Sequence, residues 1–485
     1  MPATYTKADS VPFDRRALAE DVLTATRPRV KTVALIDWSQ LIEDYLDNIN
    51  ISFAEFCNQM SGGWMFGYIE ALKVAGVRTV LFCFSARVEA PERHRHRATG
   101  ATICVLPAPR VYRALRRRVL NPYAATVEEA VGDVRGARRA FWSAVKDCAP
   151  YLSTPLLHLA RELRRERCDA LLCQDYEHGR FDLCLLLGRL MRLPVFATFQ
   201  GGDRALSRLE PLLRRNALRA SNGLVIASRS EASRVAWRYG MCSGSVARIF
   251  NPLDLSEWGP SDERERLETR ARLGIPAGAR VAAWHGRVQI EIKGLDVLLD
   301  AWERVCRARP GRELRLLIVG AGNDGEELRQ RISRLQVGGV VRVEEYVRDR
   351  ALMRRYLAAA DVYALASRRE GFPVAPVEAM ACGLPVVATD ARGVRDILGD
   401  SEVPCGLVVP LSDPAALAEA LGRVLDDEAL GRQLGARARA RAESDFTPEA
   451  VGRQLRDFFV SRGMKTTGDA APGAPRPVEG VRVNG

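Results

Sequence analysis

Short, almost wholly apolar runs alternate along the chain with longer stretches in which apolar residues recur every three or four positions. The first pattern marks a buried strand and the second an amphipathic helix. Lys31-Thr32-Val33-Ala34-Leu35-Ile36-Asp37 is the first predicted strand, Arg78-Thr79-Val80-Leu81-Phe82-Cys83-Phe84 the next, and Thr102 to Leu106 a third. Between the first two, the turn Gly62-Gly63 opens a helix that Gly76 closes. From Thr154 the alternation is regular. Helices reaching Arg167, Arg189, Ala220 and Tyr239 precede strands at Asp169–Gln174, Pro194–Phe199, Gly223–Ala227 and Ser245–Phe250. Strand–helix repetition at this spacing predicts a parallel sheet with helices on both faces.

Asn251-Pro252-Leu253-Asp254 and the charged stretch from Ser261 to Arg272 interrupt the pattern, which then begins again. Strands are expected at Arg280–Trp284, Leu314–Val319, Val340–Val343, Asp361–Leu365, Leu384–Thr389 and Gly406–Val409, with helices between them. Ala415–Leu425 and Leu430–Arg441 close this half, and Pro448–Arg462 is a last helix with Pro at its start. The expected organisation is a lead-in over 1–30, a first domain over 31–260, a second over 261–445, a closing helix over 446–462 and a disordered tail over 463–485. Trp38 to Met60 carries no period that places it.

Composition adds limits. A chain of 485 residues is long enough for two domains, and 47% hydrophobic with 27% charged residues is ordinary for a globular protein. No apolar run approaches the roughly 20 residues of a membrane span. Met1 to Val30 lacks the apolar centre of a signal peptide, so the expected location is the cytoplasm. Eleven scattered cysteines without a Cys-x-x-Cys pair predict buried free thiols, and no ligand cluster suggests a metal site. The net charge of +12 comes almost wholly from arginine, which is dense between Arg110 and Lys146. This stretch is either a solvated helix face or a contact for an acidic acceptor or the anionic inner face of a membrane. Nucleic acid is not expected, because the basic segments lack interleaved aromatic platforms.

Candidate chemistry concentrates in Ser367-Arg368-Arg369-Glu370-Gly371-Phe372-Pro373-Val374-Ala375-Pro376-Val377-Glu378-Ala379-Met380-Ala381-Cys382-Gly383. Glu370 falls in a loop, and Glu378 in the first turn of a short helix that starts near Pro376 and ends at Gly383. The two are either a solvated loop charge and a dipole partner, or a pair that binds hydroxyls beside a phosphate site. In His285-Gly286-Arg287, followed by Lys293-Gly294, two cations after a strand suit a diphosphate, or else cap a helix and a loop. Gly320-x-Gly322-x-x-Gly325 follows a strand, and Glu344 ends the next one, which leaves a dinucleotide fingerprint open as a rival.

Glu-Gly-Phe-Pro-Val-x-x-x-Glu-Ala-Met-Ala-Cys-Gly-x-Pro-Val-Val-Ala-Thr, from Glu370 to Thr389, resembles the signature of the family 4 retaining glycosyltransferases, the glycogen-synthase-like and sucrose-synthase-like group 1 enzymes. Asn251-Pro252-Leu253-Asp254 is similar to the family's interdomain linker. The resemblance implies the GT-B fold, two Rossmann-like parallel-sheet domains facing across a cleft. It implies a nucleoside diphosphate sugar as donor, no cofactor and no metal. Arg287 and Lys293 would neutralise the diphosphate, and Glu370 would meet the donor sugar. Glu378 would bind the ribose hydroxyls, Val347 would meet the base, and the backbone of Gly371, Phe372, Pro373 and Val374 would approach sugar and phosphate. Gly62 and Gly63 would lie against the diphosphate. The gap between Arg287 and Lys293 is one residue longer than in the family, and Gln200 stands where many relatives have a histidine that touches the donor sugar. Asp175, Glu177 and His178 follow the preceding strand and are further candidates for the cleft. Three other readings are a non-catalytic scaffold, a phosphorylase and an epimerase on the same fold. The acceptor and the donor's base and sugar are not encoded in any motif.

Overall fold

Strand β1 (Thr32–Ile36) lies at the centre of the first sheet, with β2 (Arg78–Ser85) on one side and β5 (Ala170–Cys173) on the other. The full order is β3-β4-β2-β1-β5-β6-β7-β8, with β3 at Glu92–Arg95, β4 at Thr102–Pro107, β6 at Val195–Phe199, β7 at Gly223–Ile226 and β8 at Val246–Ala247. The second sheet runs β11-β10-β9-β12-β13-β14, all parallel. Its strands are β9 (Arg280–His285), β10 (Leu314–Val319), β11 (Val340–Val343), β12 (Val362–Leu365), β13 (Val386–Thr389) and β14 (Gly406–Val409). The chain order reverses between β1 and β5 and again between β9 and β12. Sheets of this kind bind ligands at the carboxyl ends of the strands, at those reversal points. This computed structural model describes residues 31–465 apart from 38, 50, 61–62, 122–125, 200–209, 243, 336–338, 344–346, 348 and 400–403.

The apolar runs form strands because both faces of each sheet are covered. In the first sheet Val33, Leu35, Leu81 and Leu172 pack under the helices Gly63–Val74 and Pro448–Ser461. Ala34, Phe82 and Leu171 pack on the opposite face with Leu159, Phe181 and Cys184. Eight of the eleven cysteines are buried, and all are free.

Three features depart from the sequence pattern. Strand β3, Glu-Arg-His-Arg, pairs antiparallel with β4 at the sheet edge. A short, charged edge strand has no apolar run to announce it, and such an edge resists pairing with other chains. Strand β8 is two residues long rather than the six of Ser245–Phe250. Ile249 turns into the first domain's core and Phe250 stacks on Phe372, so this segment joins the domains instead of extending the sheet. The unplaced stretch after β1 holds the helices Ile42–Asn48 and Phe53–Asn58, the latter started by a capping box of Ser52 and Glu55. The arginine-rich stretch forms the helices Arg110–Arg116, Val127–Val131 and Gly136–Leu152.

Arg180 organises the loop after β1. Its buried guanidinium donates to the carbonyls of Asp37 at 2.8 Å, Ser39 at 2.5 Å and Gln40 at 2.9 Å. Its remaining donors meet Thr154 Oγ1 at 3.0 Å and Ser153 Oγ at 3.2 Å, so the buried charge is fully satisfied.

Several contacts among the described residues join the two halves, and three of them bear on the site. The helix Pro448–Ser461 crosses back onto Gly63–Val74, so closely that a Cβ on Gly452 would lie 2.0 Å from the Ala71 carbonyl oxygen. Phe250 stacks between Phe372 and Phe446, with ring centroids 5.3 and 4.9 Å away. Asp396 accepts the Arg229 backbone N–H at 2.9 Å, at the start of the helix Arg229–Tyr239, and the Arg248 guanidinium at 2.6 Å.

Candidate active site

The site forms where β9 and β12 end. After β9 the chain passes through Gly286-Arg287-Val288-Gln289 into a one-turn helix, Ile290–Lys293, and then Gly294. Gly294 has φ +60, and a Cβ there would sit 2.0 Å from the Ala366 carbonyl oxygen. Only glycine allows this approach, and it brings Lys293 against the segment that follows β12. The first two glycines of Gly320-x-Gly322-x-x-Gly325 have a similar use. A Cβ on Gly320 would meet the Gly286 oxygen at 1.9 Å, and one on Gly322 the Val288 oxygen at 2.2 Å. Asp324 Oδ2 accepts the Ile290 N–H at 2.8 Å. These glycines therefore pack against the loop that carries Arg287. Glu344, on which the dinucleotide alternative turned, lies outside the described residues.

Lys293 Nζ donates to Glu370 Oε1 at 2.8 Å and Oε2 at 3.0 Å. Ser367 Oγ donates to Glu370 Oε1 at 2.6 Å, and Thr389 Oγ1 holds the Ser367 carbonyl at 2.6 Å. The Glu370 side chain is 9% exposed, so it is not a solvated loop charge. Arg368 clamps Asp296 through two hydrogen bonds of 2.9 and 2.7 Å, and its N–H donates to the Ile292 oxygen at 3.0 Å. The glutamate loop is thus tied to the Lys293 turn on both sides.

Beyond Glu370 the chain runs through Gly371 to Val374 into the helix Ala375–Ala381. Phe372 and Pro373 are buried, which leaves the backbone rather than these side chains to face the site. Glu378 sits in the first helical turn, and its Oε2 lies 2.7 Å from His285 Nε2. Sequence reasoning missed His285. Its signal was present, a histidine as the last strand residue before Gly286-Arg287. Arg287 is exposed and has no ion pair among the described residues. Val347 is half-buried against the second domain's core.

In the first domain, Gly63 opens the helix Gly63–Val74, while Gly62 and Gln200 lie outside the described residues. Glu177 follows β5 and is buried. Burial, then the nearby Asp175 charge, pushes its carboxyl up to about 7, against the pull of Arg234. Arg234 binds Glu177 at 3.1 Å and both oxygens of Glu231, whose Oε1 also accepts the Tyr176 hydroxyl. From the second domain Arg392 comes within 3.8 Å of Glu231. Next to it Gly393, with φ +82, packs on the Gly371 oxygen. The acid cluster after β5 is therefore linked across the cleft to the loop beside Gly371. Gln174, which follows β5, is buried, and neither of its side-chain amide atoms is hydrogen-bonded among the described residues.

Comparison with known proteins agrees with this geometry. Residues 279–427 match the model of the family "Glycosyl transferases group 1". The D-inositol 3-phosphate glycosyltransferase of Kineococcus radiotolerans is 32% identical over 264 residues, 50% of this chain and 60% of the relative. That of Xylanimonas cellulosilytica is 34% identical over 250 residues, 49% of this chain and 56% of the relative. The matches thus span less than two thirds of these relatives' length. Among solved structures, sucrose-phosphate synthase from Thermosynechococcus elongatus superposes with a TM-score of 0.60 at 21% identity, over 89% of this chain and 98% of the other. Anabaena HepE in complex with UDP does so with a TM-score of 0.61 at 17% identity, over 89% and 100%. Two parallel-sheet domains with their strand ends facing a common cleft define the GT-B fold. The chain has this fold, and within its second domain residues 279–427 are similar to the group 1 glycosyltransferases.

Proposed function

We propose that the protein is a retaining glycosyltransferase that moves a sugar from a nucleoside diphosphate sugar to a hydroxyl of an acceptor. The observation that carries this reading is the pair of carboxylates, Glu370 and Glu378, each held by a side chain of the β9–Gly294 segment. Such a pair offers two acceptor groups for sugar and ribose hydroxyls beside two cations for phosphates. The D-inositol 3-phosphate glycosyltransferase activity of the relatives and the UDP-bound HepE structure point the same way. In this scheme residues 31–260 bind the acceptor and 261–445 the donor.

Catalysis is then positional and electrostatic. Arg287 and Lys293 stabilise the negative charge that grows on the departing diphosphate as the anomeric C–O bond breaks. Glu370 orients the donor sugar and holds Lys293 in place. The acceptor oxygen bonds to the anomeric carbon on the same face, and its proton passes to the leaving phosphate oxygen. No metal and no separate base enters this scheme. Gln200, which cannot act as a base at neutral pH, is compatible with it. The transferase acts in the cytoplasm, and arginines of the helices Arg110–Arg116 and Gly136–Leu152 meet an anionic acceptor or the inner membrane face.

The test is calorimetric titration with UDP, GDP and ADP in the presence of EDTA, followed by an acceptor screen with the matching nucleotide sugar. Binding of one nucleotide, weakened in Lys293→Ala, supports the proposal and names the donor class. Failure of all three to bind defeats it in favour of a scaffold. Release of sugar phosphate from a glycoside and inorganic phosphate identifies a phosphorylase instead.

A further inference from the structure

Glu378 projects from the helix Ala375–Ala381 with its side chain 21% exposed, and a glutamate in that setting rotates freely unless held. Here one oxygen is held. Oε2 lies 2.7 Å from His285 Nε2, while Oε1 accepts no hydrogen bond from the described residues. The histidine is itself fixed. It is the last residue of β9, is 7% exposed, and presents its ring to Tyr363 in an edge contact with centroids 5.4 Å apart. The Tyr363 hydroxyl donates to the His285 carbonyl at 3.3 Å.

The direction of this hydrogen bond follows from the partner. A carboxylate only accepts, so Nε2 carries the proton in the bond to Glu378. Nδ1 is buried and has no hydrogen-bond partner among the described residues, so the side-chain hydrogen bond of the ring goes to Glu378. Among the described residues Arg350, Tyr363 and the buried Cys382 thiol also feel this carboxylate. Arg350, at the start of the helix Arg350–Ala358, attracts it electrostatically but spends its guanidinium on Glu257. The Tyr363 hydroxyl points to a carbonyl rather than to Glu378. His285 is therefore the group that sets the direction of the Glu378 carboxylate.

We infer that His285 is a positioning residue that locks Glu378 Oε2 so that Oε1 is presented to the ribose hydroxyls of the bound nucleotide. The inference rests on the donor reading of the preceding section. It adds a residue that acts through Glu378 without touching the sugar nucleotide. Losing the lock leaves a carboxylate that must be ordered on binding, which weakens its bond to a hydroxyl but not the grip on the phosphates.

The experiment compares two ligands on four proteins and on the double variant His285→Ala/Glu378→Gln. Wild type, His285→Ala, His285→Gln and Glu378→Gln are titrated with whichever of UDP, GDP or ADP wild type binds, and with the 2′,3′-dideoxy form of that nucleotide. His285→Ala should weaken the ribonucleotide about tenfold and the dideoxy form less than about twofold. His285→Gln, which keeps an N–H donor, should recover part of the loss. The double variant His285→Ala/Glu378→Gln should bind the ribonucleotide no worse than Glu378→Gln alone. Equal losses for both nucleotides, or additive losses in the double variant, would overturn the positioning role while leaving the donor site standing. Wild type that binds no nucleotide overturns the donor reading and the positioning role together. Melting curves for each variant separate a folding defect, which would weaken both ligands alike.

Discussion

Lys293 and Glu370, 77 positions apart in the chain, meet through two hydrogen bonds of 2.8 and 3.0 Å. The pairing changes how each residue must act. A lysine already bound to a carboxylate is aimed, and its charge is partly spent before a phosphate arrives. A glutamate bound to a lysine and to a serine hydroxyl keeps a fixed direction.

Removing either partner should therefore damage the other's work. Glu370→Ala is expected to lower transfer about a hundred- to thousandfold, with Lys293→Ala in the same range, and the double variant should be far from additive. Release of nucleoside diphosphate from the donor, measured with an accepted acceptor, reads this directly. Normal turnover by correctly folded Glu370→Ala would remove it from the site.

Gly320→Ala tests whether the glycine turn serves as packing. Its φ is +145 and the new Cβ would fall 1.9 Å from the Gly286 oxygen, a backbone atom that cannot step aside cheaply. A loss of about 2–3 kcal/mol in stability is expected, with weaker nucleotide binding because the loop bearing Arg287 must shift. A variant with unchanged melting temperature and affinity contradicts the packing role.

Glu177 should leave a mark on the pH dependence of stability. Its folded pKa, pushed up to about 7 by burial and then by Asp175, exceeds the ordinary 4.5. Between those values the native state keeps a proton that the unfolded chain has lost. This contribution is complete below about 4.5 and is lost as pH rises through about 7. Glu177→Gln lacks the penalty but also loses part of the Arg234 contact. Its melting temperature relative to wild type should thus be more favourable at pH 8 than at pH 5, by about 2–4 °C. A difference that is flat with pH would show that Glu177 is ionised throughout.

The domain joint makes its own prediction. Asp396 satisfies a helix-start N–H and the Arg248 guanidinium from a position 8% exposed to solvent. Asp396→Ala leaves both donors without it, at about 1–3 kcal/mol. The melting temperature should fall, and X-ray scattering should show a larger mean dimension as the domains separate more readily. An unchanged scattering profile with lower stability would confine Asp396 to local packing.

Much of this protein was legible along the chain. Buried parallel strands must be apolar on both faces, so β1, β2, β4, β5 and the strands of the second sheet appear as continuous runs, with helices between them as amphipathic stretches. The signature around Glu370 and Glu378 was legible for a related reason, since the turn, the Pro near the helix start and Gly383 at its end are local requirements. Strand β3 was not, because a charged edge needs no apolar residues.

Only the tertiary structure decided how these residues meet. It paired Lys293 with Glu370, His285 with Glu378, and Glu231 with Arg392 across the cleft. It also gave the Gly320 turn its use, as a surface for the neighbouring loop. Period and propensity are properties of short windows of chain. A hydrogen bond between residues 77 or 93 positions apart depends on strand order and on close backbone approach at a few glycines, and these exist only once the sheets have formed.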